Sequence, residues 1–528
     1  MLAGSWWGAA ALFVVALADY IVQAAAWPLT AGPNLDEYVL TYIQLLDRHP
    51  LLPWAPLFRG PGAGVVVGPL LSVDGGGLAE PGAAALYAVS IVAWSAAALA
   101  FGRRTAILTA CALLLYPGYA GLFHELASEI VMATAFALWA LAITQAATRP
   151  SSARYVVVGL LTAALVLIRP GNAVLLPFAL FPLLVSRHWR ALTSTAAFAG
   201  AACLPLVAWT LQNGWRYGDY TLARGGNAVV PFYRVFVTDK LVSPANGPAS
   251  RRLAAAIARQ LLTRDPYKAR HVTLAQAFSG NNARVDRDLY VLSDQVFGWD
   301  SAYSTLRSAA LEAIEAHLGT YASAVADTVW QELSRPDYSS HVPQSHPPPT
   351  RHVASSAPHA RPPDQGQLIP GGQRPWISRP DQSIREVWTS ATAHTFVVTN
   401  PSQRAHFEST LRDLSMLLSN FTHRAGVGWL QLRLNTVARW YPPPILWLVV
   451  ALLAGVLRRP RGTATLAILV VPALTLVVLN ALGHAAQARY MLPVAPAFVL
   501  VGAAALLGTR RAKRRGGPPR PVPSSDCA

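Results

Sequence analysis

Charged residues are scarce in this chain, and cysteines are rarer still. Asp, Glu, Lys and Arg make up 13% of the 528 residues, against roughly 25% in soluble globular proteins. Two of the 3 cysteines, Cys111 and Cys203, lie in apolar segments, and Cys527 is near the C-terminus. This distribution offers no disulfide framework and no CxxC metal site. Zinc bound by thiolates is therefore excluded.

Acidic residues are the scarcer of the two charged types. Lys and Arg number 43 against 26 Asp and Glu, a net charge of +17. A large nucleic-acid-binding protein would spread this charge over a polar surface. Here 53% of the residues are hydrophobic, and they form long blocks separated by charges. The pattern is typical of a helical membrane protein with several spans, in which basic residues mark the cytoplasmic segments. We expect no nucleic-acid partner.

Ten apolar blocks are candidate membrane spans, because a span needs about 20 apolar residues. They are 5–27, 81–101, 105–122, 129–147, 155–168, 172–186, 191–211, 444–457, 463–482 and 490–508. Blocks 155–168 and 172–186 are short, which predicts a tight hairpin or a partly re-entrant pair. The first block lacks a basic n-region and an A-x-A exit, so we interpret it as a retained helix.

Basic residues predict the orientation of these spans. If the N-terminus is cytoplasmic, the inner segments contain a single acid, Asp526. Their basic residues are Arg103, Arg104, Arg149, Arg154, Arg187, Arg190, Arg458, Arg459, Arg461, Arg510, Arg511, Lys513, Arg514, Arg515 and Arg520. Outside the loop 213–440, the opposite side has only Arg48, Arg59, Arg169 and Arg489. This bias predicts a cell-membrane protein with both termini in the cytoplasm.

The predicted organisation has four parts. They are an N-terminal transmembrane module at 1–212 with an outer loop at 28–80, a non-cytoplasmic loop domain at 213–440, C-terminal spans at 441–508 and a basic tail at 509–528. Helical periodicity in the loop domain occurs at 250–262, 304–318 and 404–420. The Pro-rich segment 341–382 predicts a disordered or extended linker. The tail is expected to bind anionic lipid.

Two adjacent carboxylates follow the first span. Asp36 and Glu37 open an amphipathic segment, 36–47, whose Tyr38 is expected at the membrane surface. A carboxylate in a partly desolvated site can act as a general base toward a hydroxyl. The alternative is that the two acids only stabilise the N-terminus of a helix.

A second polar group is expected in the outer turn 122–129. Glu125 and Glu129 would share a face if the turn is helical, and His124 lies beside them. A divalent cation bridging Glu37, His124 or Glu125 to a phosphate is possible, although charged residues that cap a span are an equal explanation.

Arginines at the ends of outer spans are candidate phosphate ligands, because guanidinium binds phosphate bidentately. Arg169 and Arg489 qualify, and the alternative for each is a snorkelling arginine. Arg59 is assigned to an ordinary loop. His484 is either part of the same site or an interfacial histidine. Asp19, inside the first span, is left outside the catalytic set.

The chain resembles the lipid-linked-sugar glycosyltransferases of the GT-C superfamily, especially the protein mannosyltransferase and aminoarabinose transferase branch (glycosyltransferase family 39). The matching motifs are Asp36-Glu37-Tyr38, Ser128-Glu129-Ile130 after a Tyr-Pro-Gly turn at 116–118, Arg169-Pro170 within 167–172, and Arg489-Tyr490-Met491-Leu492-Pro493. The likeness covers 1–212 well and 443–508 moderately. It does not extend to the loop 213–440.

The resemblance implies an α-helical GT-C fold and an inverting transfer of a sugar from a polyprenyl-phosphate donor. The acceptor would be a hydroxyl of a protein, lipid or glycan on the outer face. It further implies catalytic Asp36 with Glu37, donor phosphate contacts from Arg169, Arg489 and Tyr490, and an acid near 125–129 that contacts the donor or a metal.

Two other functional classes stay open. O-antigen ligases and polymerases also combine many spans with a large outer loop, and they depend on Arg and His in that loop. A transporter is the third class, and it should show Gly- or Pro-broken helices at mid-span. The break at 169–172 is of that kind, but it lies at a turn.

Overall fold

The computed structural model describes most of the chain. The described residues are 6–49, 51, 54–185, 189–263, 267–268, 270–279, 283–298, 301–334, 373–375, 384–388, 394–421, 425–458 and 463–507. The predicted tail 509–528 lies outside this set, as does most of the linker 341–382.

Helices form at the predicted apolar blocks. Before residue 218 they are α1 (Trp6–Ala26), α2 (Leu35–Leu46), α3 (Trp54–Arg59), α4 (Gly64–Ser72), α5 (Ala79–Ala98), α6 (Arg103–Leu114), α7 (Pro117–Leu122), α8 (Ser128–Thr148), α9 (Ser152–Ile168), α10 (Phe181–Val185) and α11 (Trp189–Tyr217). The block 105–122 is divided between α6 and α7, because Pro117 cannot continue the hydrogen bonding of α6. The short block 172–186 forms a 3₁₀ helix, Pro170–Leu180, followed by α10.

The remaining helices form two groups. In the loop region they are α12 (Gly226–Tyr233), α13 (Pro248–Ala256), α14 (Leu274–Ser279), α15 (Ala283–Phe297), α16 (Ser304–Ala316), α17 (Leu318–Ser334), α18 (Pro401–Ser419) and α19 (Gly428–Trp440). The C-terminal group is α20 (Pro444–Arg458), α21 (Thr463–Gly483), α22 (Ala488–Met491) and α23 (Ala495–Leu507). One-turn π-helices continue α12 through Arg234–Thr238 and α13 through Ile257–Leu261.

Membrane helices dominate this architecture, as predicted. Among the described residues, 6 helical stretches are long and apolar enough to cross a bilayer, and four shorter apolar stretches accompany them. Several of their apolar side chains point outward; Ile21, Leu204 and Leu452 are each more than half exposed. Apolar groups can face outward on a membrane helix because lipid surrounds it. The chain is a polytopic helical membrane protein.

Two hydrophobic cores organise the molecule. The larger joins α5, α8 and α9 to the C-terminal helices α21 and α23. The smaller lies within the loop region, where α12, α13 and α16 pack around Phe232, Leu253 and Leu306. The two groups meet where α12 and α17 pack on α21. The loop region is therefore in direct contact with a C-terminal membrane helix.

Short strands occur where loops meet. β1 (Thr30–Ala31) pairs in parallel with β2 (Glu125–Leu126), and β3 (Gln373–Pro375), β4 (Ile384–Trp388) and β5 (His394–Val398) form an antiparallel sheet. Within the predicted linker 341–382 the structure describes 373–375, which is the extended strand β3 paired with β4.

Candidate functional site

The loop that follows α1 is joined directly to the turn before α8. Thr30 N donates to His124 O at 2.9 Å, and Gly32 N donates to Leu126 O at 3.1 Å. A Cβ on Gly32 would lie 2.7 Å from the Ala127 Cβ, so this close approach requires glycine. Asn34 then takes a left-handed conformation, with φ 58°, and α2 begins. The ladder fixes the first turn of α2, which includes Asp36 and Glu37, beside the start of α8.

Ser128 is the centre of a buried hydrogen-bond network. Its Oγ accepts a hydrogen bond from Tyr38 OH at 2.9 Å and donates to Glu129 Oε2 at 3.2 Å. Arg169 donates to the same Oγ through Nη2 at 3.2 Å and forms an ion pair with Glu129 Oε1 at 2.7 Å. The expectation that Tyr38 lies on the membrane surface is wrong, because its ring is buried and its hydroxyl binds Ser128.

Local sequence explains the position of Arg169. Pro170 disfavours the helical conformation for the preceding residue, so α9 ends at Ile168 and Arg169 is extended. The buried Asn172 fixes the break by donating from Nδ2 to Leu165 O at 2.8 Å. Arg169 thus leaves the helix axis and reaches across to α8.

Arg59 belongs to this cluster, although the sequence assigned it to an ordinary loop. Its Nε donates to Glu37 Oε2 in an ion pair. Gly60, with φ 72°, and Gly62 bring the segment after Arg59 onto the end of α9, where Gly62 N donates to Leu167 O at 3.0 Å. The sequence signal was the Arg-Gly-Pro-Gly run, whose glycines permit this approach.

Tyr490 connects the C-terminal helices to the cluster. The guanidinium carbons of Arg169 and Arg489 lie 5.5 Å and 4.9 Å from the centroid of its ring, within cation–π range. Arg489 Nη2 also donates to Tyr490 OH at 3.1 Å. The His484 ring stacks on Tyr490 with centroids 5.0 Å apart. Residues from two distant parts of the sequence therefore surround one tyrosine.

The arginines change the chemistry of His484. Its burial, followed by the charges of Arg489, Arg169 and Arg59, lowers the pKa of the imidazole to about 4. His484 is therefore neutral at pH 7. A neutral imidazole beside guanidinium groups adds no cation to the site and keeps its hydrogen-bonding capacity.

Two predicted residues lie elsewhere. His124 is fully buried and stacks on Tyr20 at 4.3 Å between centroids, so its ring belongs to the packing between α1 and the turn. Glu125 is in β2 and Glu129 is in the first turn of α8, so the expectation that they share a helix face is wrong. In the described residues no three His, Cys, Asp or Glu side chains gather as a metal site. Glu37, His124 and Glu125 therefore do not form such a group with one another.

The remaining acids have distinct environments. Asp36 is half-buried, one residue before the paired Glu37, and has polar or ring contacts of its own. Asp19 accepts hydrogen bonds from Tyr87 OH at 2.7 Å and Gln23 Nε2 at 2.9 Å. These partners explain how an acid is accommodated within a membrane helix.

The family comparison agrees with this picture. Residues 70–211 match the model of the dolichyl-phosphate-mannose-protein mannosyltransferase family. The match confirms the predicted resemblance over a range that includes α8 and α9, and it indicates a membrane glycosyltransferase of the mannosyltransferase type. Asp36, Glu37 and Arg489 lie outside the matched range. A comparison with curated proteins gives no significant match.

Proposed function

We propose that the chain transfers a sugar from a polyprenyl-phosphate donor to an acceptor hydroxyl, with inversion at the anomeric carbon. The observation that supports this proposal most directly is the placement of Arg169 and Arg489 over the Tyr490 ring, with Arg59 bound to Glu37 next to Tyr38 of the same network. Two of these arginines are paired with Glu37 and Glu129. Arg489 donates to Gln487 Oε1 and to Tyr490 OH rather than to a carboxylate, and a phosphate anion would balance its charge.

The donor phosphate would lie between the arginines, with its polyprenyl chain in the surrounding lipid. Arg169 and Arg489 can offer planar, bidentate hydrogen bonds to phosphate oxygens. Both guanidinium groups contact the Tyr490 ring, which holds them close to each other. These donors would stabilise the negative charge that grows on the phosphate as the glycosidic bond breaks. The positive-inside bias supports placing this reaction on the non-cytoplasmic face.

The acceptor proton needs a base. In the proposed step the acceptor oxygen forms a bond to the anomeric carbon, the bond from that carbon to the phosphate oxygen breaks, and Asp36 takes the hydroxyl proton. We assign the base to Asp36, because the family resemblance places the base at this position; Glu37 is bound by Arg59. Glu37 would instead position Arg59 toward the phosphate.

The arrangement of the loop region weighs against an O-antigen ligase. Such an enzyme would use loop arginines for chemistry. Arg234, a loop arginine beside the cluster, is buried, and it binds Asp239, Thr328 and the carbonyls of Ala481 and His484. These hydrogen bonds hold Arg234 in a structural role rather than a catalytic one.

The test compares Asp36→Asn with the wild-type enzyme and with Asp74→Asn. Asp74 is an exposed acid of the same outer loop with φ 51°, a conformation that Asn also tolerates. With polyprenyl-phosphate sugars as donors, Asp36→Asn should bind undecaprenyl phosphate like wild type and transfer sugar 10²–10⁴-fold more slowly, as expected for loss of a general base. Asp74→Asn should behave as wild type. Transfer by Asp36→Asn within about threefold of wild type would remove Asp36 from the mechanism.

A further inference from the structure

The segment that carries the cluster's C-terminal residues is held by side chains of the loop region. Tyr321 OH donates to Leu482 O at 2.9 Å, and Glu332 Oε1 accepts from Gln487 N at 3.4 Å. Arg234 Nη1 donates to the carbonyl of Ala481 at 3.1 Å and to that of His484. The loop region therefore binds the backbone of 481–487 at four points.

These contacts come from a rigid part of the molecule. Arg234 is 1% exposed, its Nε donates to Asp239 Oδ2 at 2.7 Å, and its Nη1 donates to Thr328 Oγ1 at 3.0 Å. A buried arginine needs hydrogen-bond partners of this kind, and the two hydrogens of Nη1 are shared among Thr328 Oγ1 and the carbonyls of Ala481 and His484. The geometry of its guanidinium fixes the two carbonyls that it binds.

Packing reinforces the hydrogen bonds. A Cβ added at Gly483 would collide with the side chain of Val230 on α12. Glycine therefore lets α12 lie directly against the backbone of the segment. A shift of α12 or α17 would therefore displace 481–487, because close-packed groups transmit such movements to one another.

The held segment is coupled to Arg489. Gln487 N is bound by Glu332, and Gln487 Oε1 accepts from Arg489 Nε at 2.7 Å. Arg489 in turn lies over the ring of Tyr490. A continuous series of contacts thus runs from α17 in the loop region to the arginine cluster.

We propose that Arg234, Tyr321 and Glu332 are positioning residues that set Arg489 and Tyr490 in place for the donor phosphate. This inference rests on the proposed function. It gives the helices of 226–334 a specific role: they act as a clamp on the 481–490 segment and thereby set donor affinity. None of the three residues touches the reacting atoms in this proposal.

The experiment uses the full chain in detergent and two matched tyrosine variants. Tyr321→Phe removes the hydroxyl that binds Leu482 O and keeps the ring. Tyr441→Phe is the control, because Tyr441 OH also donates to a backbone carbonyl, that of Ala112 in α6 at 3.0 Å, rather than to one in 481–490. Binding of undecaprenyl phosphate and hydrogen exchange of the 481–490 amides are measured for both.

Tyr321→Phe should weaken binding of undecaprenyl phosphate about 3- to 10-fold, the usual effect of one hydrogen bond. It should also speed amide exchange in 481–490. In the transfer assay, KM for the donor should rise while KM for the acceptor stays constant. Tyr441→Phe should leave phosphate binding and exchange in 481–490 unchanged, even if it lowers the melting temperature. A purely structural role would lower stability equally in both variants without this selectivity.

Glu332 supplies a conservative rescue. Glu332→Gln retains an oxygen acceptor for Gln487 N and should keep near-wild-type affinity, whereas Glu332→Leu should weaken phosphate binding at least as much as Tyr321→Phe. Wild-type affinity in both Tyr321→Phe and Glu332→Leu would overturn the clamp. Failure of wild-type protein to bind undecaprenyl phosphate would instead refute the proposed function; the exchange data would then decide whether 481–490 is held as proposed.

Discussion

The ion pair between Arg169 and Glu129 allows stability and donor binding to be separated. The Glu129 side chain is 7% exposed and that of Arg169 is 20% exposed, with 2.7 Å between Nη2 and Oε1. Arg169→Met should leave the Glu129 carboxylate buried without its cation. Removing one partner of a buried pair costs about 3–5 kcal/mol. We expect about 3 kcal/mol here, because the site retains some access to water.

The double variant Arg169→Met/Glu129→Gln removes both charges together. Replacing a whole buried pair by neutral groups is often close to neutral for stability, so the double variant should unfold within about 1 kcal/mol of wild type. Its affinity for undecaprenyl phosphate should nevertheless stay about 10-fold or more below wild type, as for loss of a hydrogen bond to a charged group. The free energy of unfolding in detergent and the phosphate affinity are measured on the same samples.

Arg224→Met is the matched control. Arg224 is buried and paired with Asp219 at 3.1 Å, and it is not among the side chains around Tyr490. This variant should lose stability without a specific loss of phosphate affinity. Recovery of affinity in the Arg169/Glu129 double variant would refute Arg169 as a phosphate ligand. A single Arg169→Met variant as stable as wild type would refute the energetic argument for the pair.

Three further predictions concern the same region. Burial raises the pKa of Glu332 from its usual 4.5 to about 8. Between these pH values the native state keeps a proton that the unfolded chain has lost, so the free energy of unfolding falls as pH rises from 4.5 to 8. Glu332→Gln should abolish this pH dependence in thermal melts and should be more stable than wild type at pH 8. Burial and neighbouring arginines lower the pKa of His484 from 6.5 to about 4. The contribution of neutral His484 to stability is therefore complete above pH 6.5 and is lost as pH falls toward 4. The melting temperature of His484→Gln should depend less on pH in this range, and a pH profile equal to that of wild type would contradict the prediction. Arg489→Ala should weaken undecaprenyl phosphate binding roughly 10- to 150-fold. Arg489→Lys should recover only part of the affinity, because an ammonium lacks the planar geometry of a guanidinium. Equal affinity of Arg489→Ala and wild type would exclude Arg489 as a phosphate ligand.

The sequence predicts the parts of the site that depend on local rules. Long apolar blocks locate the membrane helices, and the Arg169-Pro170 pair locates the end of α9 because proline restricts the residue before it. Arg169 and Arg489 could therefore be identified as outer arginines at span ends. Their common neighbour, the Tyr490 ring, depends on packing between helices far apart in the chain.

The errors have the same origin. Arg59 was assigned to a loop because its partner, Glu37, lies 22 residues away and is reached only after Gly60 and Gly62 pack on α9. His124 was placed with the outer acids because the sequence does not indicate that its ring stacks on Tyr20. Side-chain direction at a turn is set by tertiary contacts, which a single sequence does not specify.

The order of synthesis gives the two carboxylate–arginine pairs a second consequence. Glu37–Arg59 and Glu129–Arg169 are both complete by residue 169, whereas Arg489 and Tyr490 are near the end of the chain. More than 300 residues separate residue 169 from Arg489. At translation rates of about 5–20 residues per second, their synthesis takes roughly 15 s or longer. Under the proposed function, Arg489 and Tyr490 are the donor contacts that are synthesised late. A nascent chain that has not yet reached residue 490 would therefore lack these phosphate contacts, whereas the two carboxylate–arginine pairs can already form.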